Sequence, residues 1–139
     1  MRQKQDKAKV HVSVGLIQNS AGYFFLSCRR PQSSHAGLWE FPGGKRKPKE
    51  SSREALAREL KEEVGIAVLS ADYLGTVYPT HHNVILDMYH VTTYDGNCHN
   101  AEQQVCAWVK MPMLYTLPFP YAHPSIIKLL ERHKLINKP

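Results

Sequence analysis

The chain has 139 residues, of which 42% are apolar, and a formal net charge of +6 at pH 7. That is enough for one domain with its own core, residues 1–139, and no apolar run approaches the length of a membrane span. The basic start, Met1 to Lys7, lacks a signal-peptide core, and Cys28, Cys98 and Cys106 are odd in number with no CxxC spacing, so a reducing, cytoplasmic location is expected. The positive charge gathers in the N-terminal arm (Arg2, Lys4, Lys7, Lys9), the loop Lys45-Arg46-Lys47-Pro48-Lys49 and the C-terminal tail. Such a surface attracts anions. Without a recognition helix, zinc spacing or aromatic ribonucleoprotein motif, a solvated surface is favoured over a nucleic-acid interface.

Residues 1–8 read as a mobile basic arm. Val10 to Gln18 reads as a strand with Val10, Val12, Val14 and Leu16 on one face. Asn19 to Gly22 is a turn by composition, and Tyr23 to Arg30 the returning strand of a hairpin. Arg29-Arg30 precede Pro31. Their guanidinium groups either keep a strand end soluble or contact phosphate or base. Residues 31–38 form a loop able to act as a lid, with His35 read as a surface histidine. Trp39 and Phe41 alternate with Glu40, as in a short strand.

Gly44 to Ile66, GKRKPKESSREALARELKEEVGI, is the most informative stretch. Ser51 and Glu54 form a capping-box pattern opening a helix. Leu56, Leu60 and Val64 recur every four residues as a core-facing stripe. Gly65 supplies a left-handed stop. Glu59, Glu62 and Glu63 stand at i, i+3 and i+4 and share one face. Like charges so placed repel, and Arg58 and Lys61 offset only part of this. Taken alone, such a cluster is read as a solvated acidic face. A cation over it is the other reading, and carboxylate oxygens suit Mg²⁺ or Mn²⁺ rather than zinc.

The whole stretch resembles the Nudix box: Gly44, Glu50, Arg58, Glu59, Glu62, Glu63 and Gly65 fall at its fixed positions. Seven identities at usages of roughly 5–7% each coincide about once in 10⁸–10⁹ windows by chance. Leu38 to Lys45, LWEFPGGK, looks like the approach to the box in MutT-type Nudix hydrolases. There is one departure. Family members often carry an acidic loop and a glycine before the first box glutamate, whereas here the loop is lysine-rich and Lys49 precedes Glu50.

Tyr73 to Pro79 and Val84 to Tyr94 read as a second hairpin around Thr80-His81-His82-Asn83. A metal reading of His81-His82 is weighed against a surface pair, and the surface pair is preferred. Tyr78 either lines a base pocket, where aromatic faces stack on bases, or is a core or rim residue. Asn97 to Gln104 is a polar loop, Ala107-Trp108-Val109 a short core strand, and Met111 to Leu117 a connector. Ile126, Ile127, Leu129 and Leu130 mark the buried side of a final helix from Ser125 to about Lys134, with His133 and Lys134 near its negative end. Phe119-Pro-Tyr-Ala leads to His123, where MutT-type enzymes typically carry asparagine.

The resemblance implies a Nudix-type α/β/α sandwich, an α/β fold with a mixed β-sheet and helices on both faces. It implies that Glu59, Glu62 and Glu63 bind Mg²⁺ (or Mn²⁺), with the Gly43 carbonyl and Glu102 as further ligands. Glu59 is the first candidate for general base and Glu102 the second. Arg30, Phe41, Tyr78 and His123 are the implied substrate contacts. Gly44, Glu50, Arg58 and Gly65 have structural roles, Arg58 pairing with Glu50 or a loop carbonyl. The implied activity is a Mg²⁺-dependent hydrolysis of a nucleoside triphosphate, foremost 8-oxo-dGTP to 8-oxo-dGMP and pyrophosphate, which cleans the nucleotide pool. Ordinary nucleoside triphosphates, ADP-ribose or dinucleoside polyphosphates are the alternative substrates, and a non-catalytic nucleotide- or RNA-binding module is the alternative role. A monomer or homodimer is expected.

Overall fold

The computed structural model describes residues 9–28, 37–80, 82–101, 105–119 and 123–137, the side chain of His123 excepted. The basic arm, Arg29-Arg30, the loop to residue 36, His81 and Glu102 lie outside the described residues. The elements are β1 (Val10–Ile17), β2 (Phe24–Cys28), β3 (Trp39–Glu40), β4 (Gly43–Lys45), α1 (Ser52–Val64), β5 (Ala67–Val77), β6 (Val84–Asp95), β7 (Val105–Val109) and α2 (His123–Arg132). A 3₁₀ turn, Met111–Tyr115, occupies the expected connector and buries Leu114.

A four-stranded mixed sheet has the order β4-β1-β6-β5, and a three-stranded antiparallel sheet the order β3-β2-β7. β1 runs parallel to β6 from Val10↔Val84 to Ile17↔Val91 and antiparallel to β4 on its other edge. The expected first hairpin is therefore corrected. β1 and β2 pair only at Gln18↔Phe24 and then part into different sheets. The reason is that a strand has two hydrogen-bonding edges, and β6 and β4 take both edges of β1. The second hairpin, β5 with β6, forms as expected, but β5 starts at Ala67 rather than Tyr73. Its first half is mostly exposed and crossed by register shifts, so no alternating pattern announces it.

The pleat of β1 and β6 sorts their side chains between two cores. Val14, Leu16, Leu86 and Met88 face one way, packing with Phe24 and Leu26 and with Ile126, Ile127, Leu129 and Leu130 of α2. Ile17, Tyr89 and Val91 face the other, packing with Leu56, Leu60 and Val64 of α1. A side chain on Gly15 would meet Leu60 at 2.9 Å, so α1 sits close to the sheet there. The two helices thus cover opposite faces, giving the α/β/α sandwich. Among the described residues no helix is long and apolar enough to cross a membrane.

The start of α1 is fastened to the sheet by polar contacts. The Ser13 hydroxyl donates to the Ser52 carbonyl at 2.7 Å, and the Ser52 hydroxyl to Asp87 at 2.8 Å. Thr76 donates to the other oxygen of Asp87 at 2.7 Å. Ser51 caps the helix, accepting from the Glu54 N–H at 3.1 Å while Glu54 accepts from the Ser51 N–H at 2.8 Å. α2 begins at His123 rather than Ser125, with Pro124 in its first turn, where a missing N–H costs nothing.

Candidate active site

Two neighbouring elements, β4 and α1, carry the site. Gly15 N–H donates to the Pro42 carbonyl and Arg46 N–H to the His11 carbonyl, each at 2.8 Å. These contacts make 42, 44 and 46 the positions bonded to β1. In an antiparallel ladder the residues between them turn their amides away from the partner. Gly43 and Lys45 therefore present backbone groups to α1. The Gly43 N–H donates to Glu63 Oε2 at 3.1 Å, and the Lys45 carbonyl accepts from Arg58 Nη2 at 3.0 Å.

The glycines are needed for space. A Cβ on Gly44 would lie 2.2 Å from the carboxyl carbon of Glu59, so that carboxylate rests on the bare backbone of β4. A Cβ on Gly43 would lie 2.1 Å from the Ser13 carbonyl oxygen.

Arg58 is the hub. Its Nε and Nη2 grip Glu50 at 2.7 and 3.0 Å in a fork, and its Nη1 reaches Glu59 at 2.9 Å and Glu62 at 3.2 Å. The Arg58 hydrogen bonds, followed by the Lys47 N–H, hold the Glu50 carboxyl down at about 2. Reciprocally, Glu50 and then Glu59 raise the Arg58 guanidinium against the effect of burial. Glu50 and Arg58 thus stay charged at any physiological pH and fix the turn 45–50 against the middle of α1.

Three carboxylates on one helical face beside outward backbone oxygens form an oxygen-only donor set, which suits a hard divalent cation. Glu59 and Glu62 are drawn to Arg58 and Glu63 to Gly43 N–H, and among the described residues no three acidic, histidine or cysteine groups converge on one point. The donors still fit such an ion in chemistry. The backbones of β4 and α1 already lie against each other, which keeps these donors on neighbouring elements.

Phe41 is buried, with its ring 5.5 Å from that of Phe119. Tyr78 is 65% exposed just past β5, which removes the core reading. His123 opens α2. Arg30 and Glu102 fall outside the described residues.

Sequence reasoning missed the fastening of the loop at 97–101 to the end of α1. Gly65 has φ 72, as its stop role requires, but a Cβ there would also lie 2.1 Å from the His99 ring. His99 N–H donates to the Val64 carbonyl and Ala101 N–H to the Glu63 carbonyl, each at 3.1 Å. These donors satisfy carbonyls that a helix end otherwise leaves open. Only the polar composition of Asn97 to Gln104 hinted at the loop, and nothing local linked it to Gly65.

The Nudix domain family matches residues 9–131. A CTP pyrophosphohydrolase of Escherichia coli K12 is 36% identical over 124 residues, covering 88% of this chain and 89% of its own. An 8-oxo-dGTP diphosphatase of Haemophilus influenzae is 34% identical over 136 residues, 96% of each chain. A solved structure from a study of MutT of Aliivibrio salmonicida and Vibrio cholerae superposes with a TM-score of 0.75 at 33% identity, covering 88% of this chain and 98% of that one. With the box glutamates on a helix against a glycine edge and the family spanning most of the sequence, the chain belongs to the Nudix hydrolase family.

Proposed function

We propose that the chain is a Mg²⁺-dependent pyrophosphohydrolase of nucleoside triphosphates, with 8-oxo-dGTP as principal substrate and 8-oxo-dGMP and pyrophosphate as products. The supporting observation is the seating of two box carboxylates, Glu59 over Gly44 and Glu63 on the Gly43 N–H, against the outward edge of β4. When bound, Mg²⁺ supplies charge neutralisation on the polyphosphate and lowers the pKa of the attacking water. Glu59, Glu62, Glu63 and the Gly43 carbonyl would hold the ion. Glu59, or Glu102 as the resemblance also implies, would take the proton from the water. Arg58 and Glu50 keep β4 and α1 in register so that these groups stay aligned. Relatives named 8-oxo-dGTP diphosphatase support the substrate.

A second reading, a pyrimidine nucleoside triphosphate, is favoured by the E. coli relative named for CTP. His123, in place of asparagine, keeps it open. A neutral imidazole offers one donor and one acceptor on separate nitrogens rather than on one amide edge.

Pyrophosphate and phosphate release from 8-oxo-dGTP, dGTP, dCTP, CTP, ADP-ribose and Ap4A in Mg²⁺ decides between them. A kcat/KM advantage of about 10²-fold or more for 8-oxo-dGTP over dGTP supports the sanitising role. A lead for CTP or dCTP replaces it with the second reading. Binding without turnover refutes catalysis.

A further inference from the structure

The loop between β4 and α1 carries four cations, Lys45, Arg46, Lys47 and Lys49, all exposed. Among the described residues none of them lies within ion-pair distance of a carboxylate. The loop is nevertheless held at both ends by the hub. Arg58 bonds the Lys45 carbonyl at 3.0 Å, and Glu50, itself gripped by Arg58, accepts the Lys47 N–H at 2.8 Å. The same guanidinium reaches Glu59 and Glu62. The backbone that carries the cations is therefore fixed to the same guanidinium that reaches two of the box carboxylates.

Their backbone is also unusual. Glu50 N–H donates to the Lys47 carbonyl at 3.1 Å, closing a turn with Pro48 second and Lys49 third. Lys49 has φ 67. A turn with proline second and a positive φ third calls for glycine or asparagine at that position. A lysine there is disfavoured in the fold, and among the described residues no ion pair of its side chain offsets this.

We propose that Arg46, Lys47 and Lys49 form a polyphosphate rim. It takes the outer phosphates of the substrate, the part that leaves as pyrophosphate, and so selects triphosphates over diphosphates by charge. This rests on the nucleotide-hydrolase reading above. Exposed cations act through a field that salt screens within about 8–10 Å, so the effect is one of capture and weakens in salt.

The test compares the native protein with Arg46→Gln/Lys47→Gln/Lys49→Gly and with Lys49→Gly alone. Lys49→Gly relieves the turn, so its Tm rises while its capture of triphosphate falls. For the triple variant, kcat/KM on the preferred triphosphate drops about tenfold at 50 mM salt and less than about threefold at 0.5 M. The loss sits in KM and is smaller for the matching diphosphate. Binding of inorganic tripolyphosphate by calorimetry, in Mg²⁺, weakens in parallel and reads the rim even without turnover. Equal tripolyphosphate affinity in native and triple variant, with kcat/KM unchanged at low salt, overturns the rim and leaves the hydrolase reading standing. Absence of turnover in the native protein overturns the hydrolase reading instead.

Discussion

Replacing Gly44 with alanine separates the proposed catalytic role of the β4 edge from its structural role. The added Cβ falls 2.2 Å from the Glu59 carboxyl carbon and 2.4 and 2.6 Å from its oxygens. Non-bonded carbons settle at about 3.5–4.0 Å, so the carboxyl must retreat by more than about 1 Å. The obstacle is the far end of a flexible side chain, and Gly44 is absent from the positive-φ glycines, so the backbone accepts alanine. A compatible Gly→Ala change even stabilises by about 0.4–1 kcal/mol through the unfolded chain. Misplacing a catalytic group by about 1 Å costs about 10²-fold, or about 2.7 kcal/mol of transition-state stabilisation. Steady-state kinetics on the preferred triphosphate in Mg²⁺, beside thermal unfolding, should show kcat down about 100-fold with Tm within about 4 °C of native. A kcat within threefold of native would refute the placement of Glu59. A collapse in Tm would refute the claim that only a side chain is displaced. Gly43→Ala is the contrast: its Cβ meets the Ser13 backbone oxygen at 2.1 Å, so stability is lost along with activity.

Glu62→Gln and Glu63→Gln should each lose most turnover while circular dichroism stays native, because the acidic face lies off the stripe that packs Leu56, Leu60 and Val64. Near-normal rates in both would remove the metal assignment. Gly65→Ala forces alanine to φ 72 and pushes the His99 ring away, so denaturant unfolding should show a loss of about 1–2 kcal/mol; no loss would mean that the loop and helix end yield freely. Glu50 should show itself in acid. Its carboxyl titrates at about 2 in the fold against an ordinary 4.5, so its contribution is complete above 4.5 and disappears as pH falls through 2. The stability gap between native and Glu50→Gln should be constant near neutrality and close between those values. A gap independent of pH across that window would contradict the Arg58–Glu50 account.

Much of the site was legible because it is local. The acidic face, the apolar stripe, the Ser51 cap and the Gly65 stop all lie on one helix, and a period of 3.6 residues relates them without reference to the rest of the chain. The pairing of Arg58 with Glu50 or a loop carbonyl was expected from the family resemblance instead, and Arg58 bonds both Glu50 and the Lys45 carbonyl. The lysine-rich loop could be noticed in the sequence, but its tight turn at Lys49 could not.

The acidic helix and the family were both readable from residue identities at fixed short spacings. Tertiary structure alone decided that β1 leaves β2 for β6 and β4, and that Gly44 is small for Glu59. It also decided that Gly65 is small for His99, and that the 97–101 loop closes the end of α1. Each depends on contacts between segments far apart in the chain. Such contacts are settled by which edges and faces remain unsatisfied once the others have packed, and no local pattern records that competition.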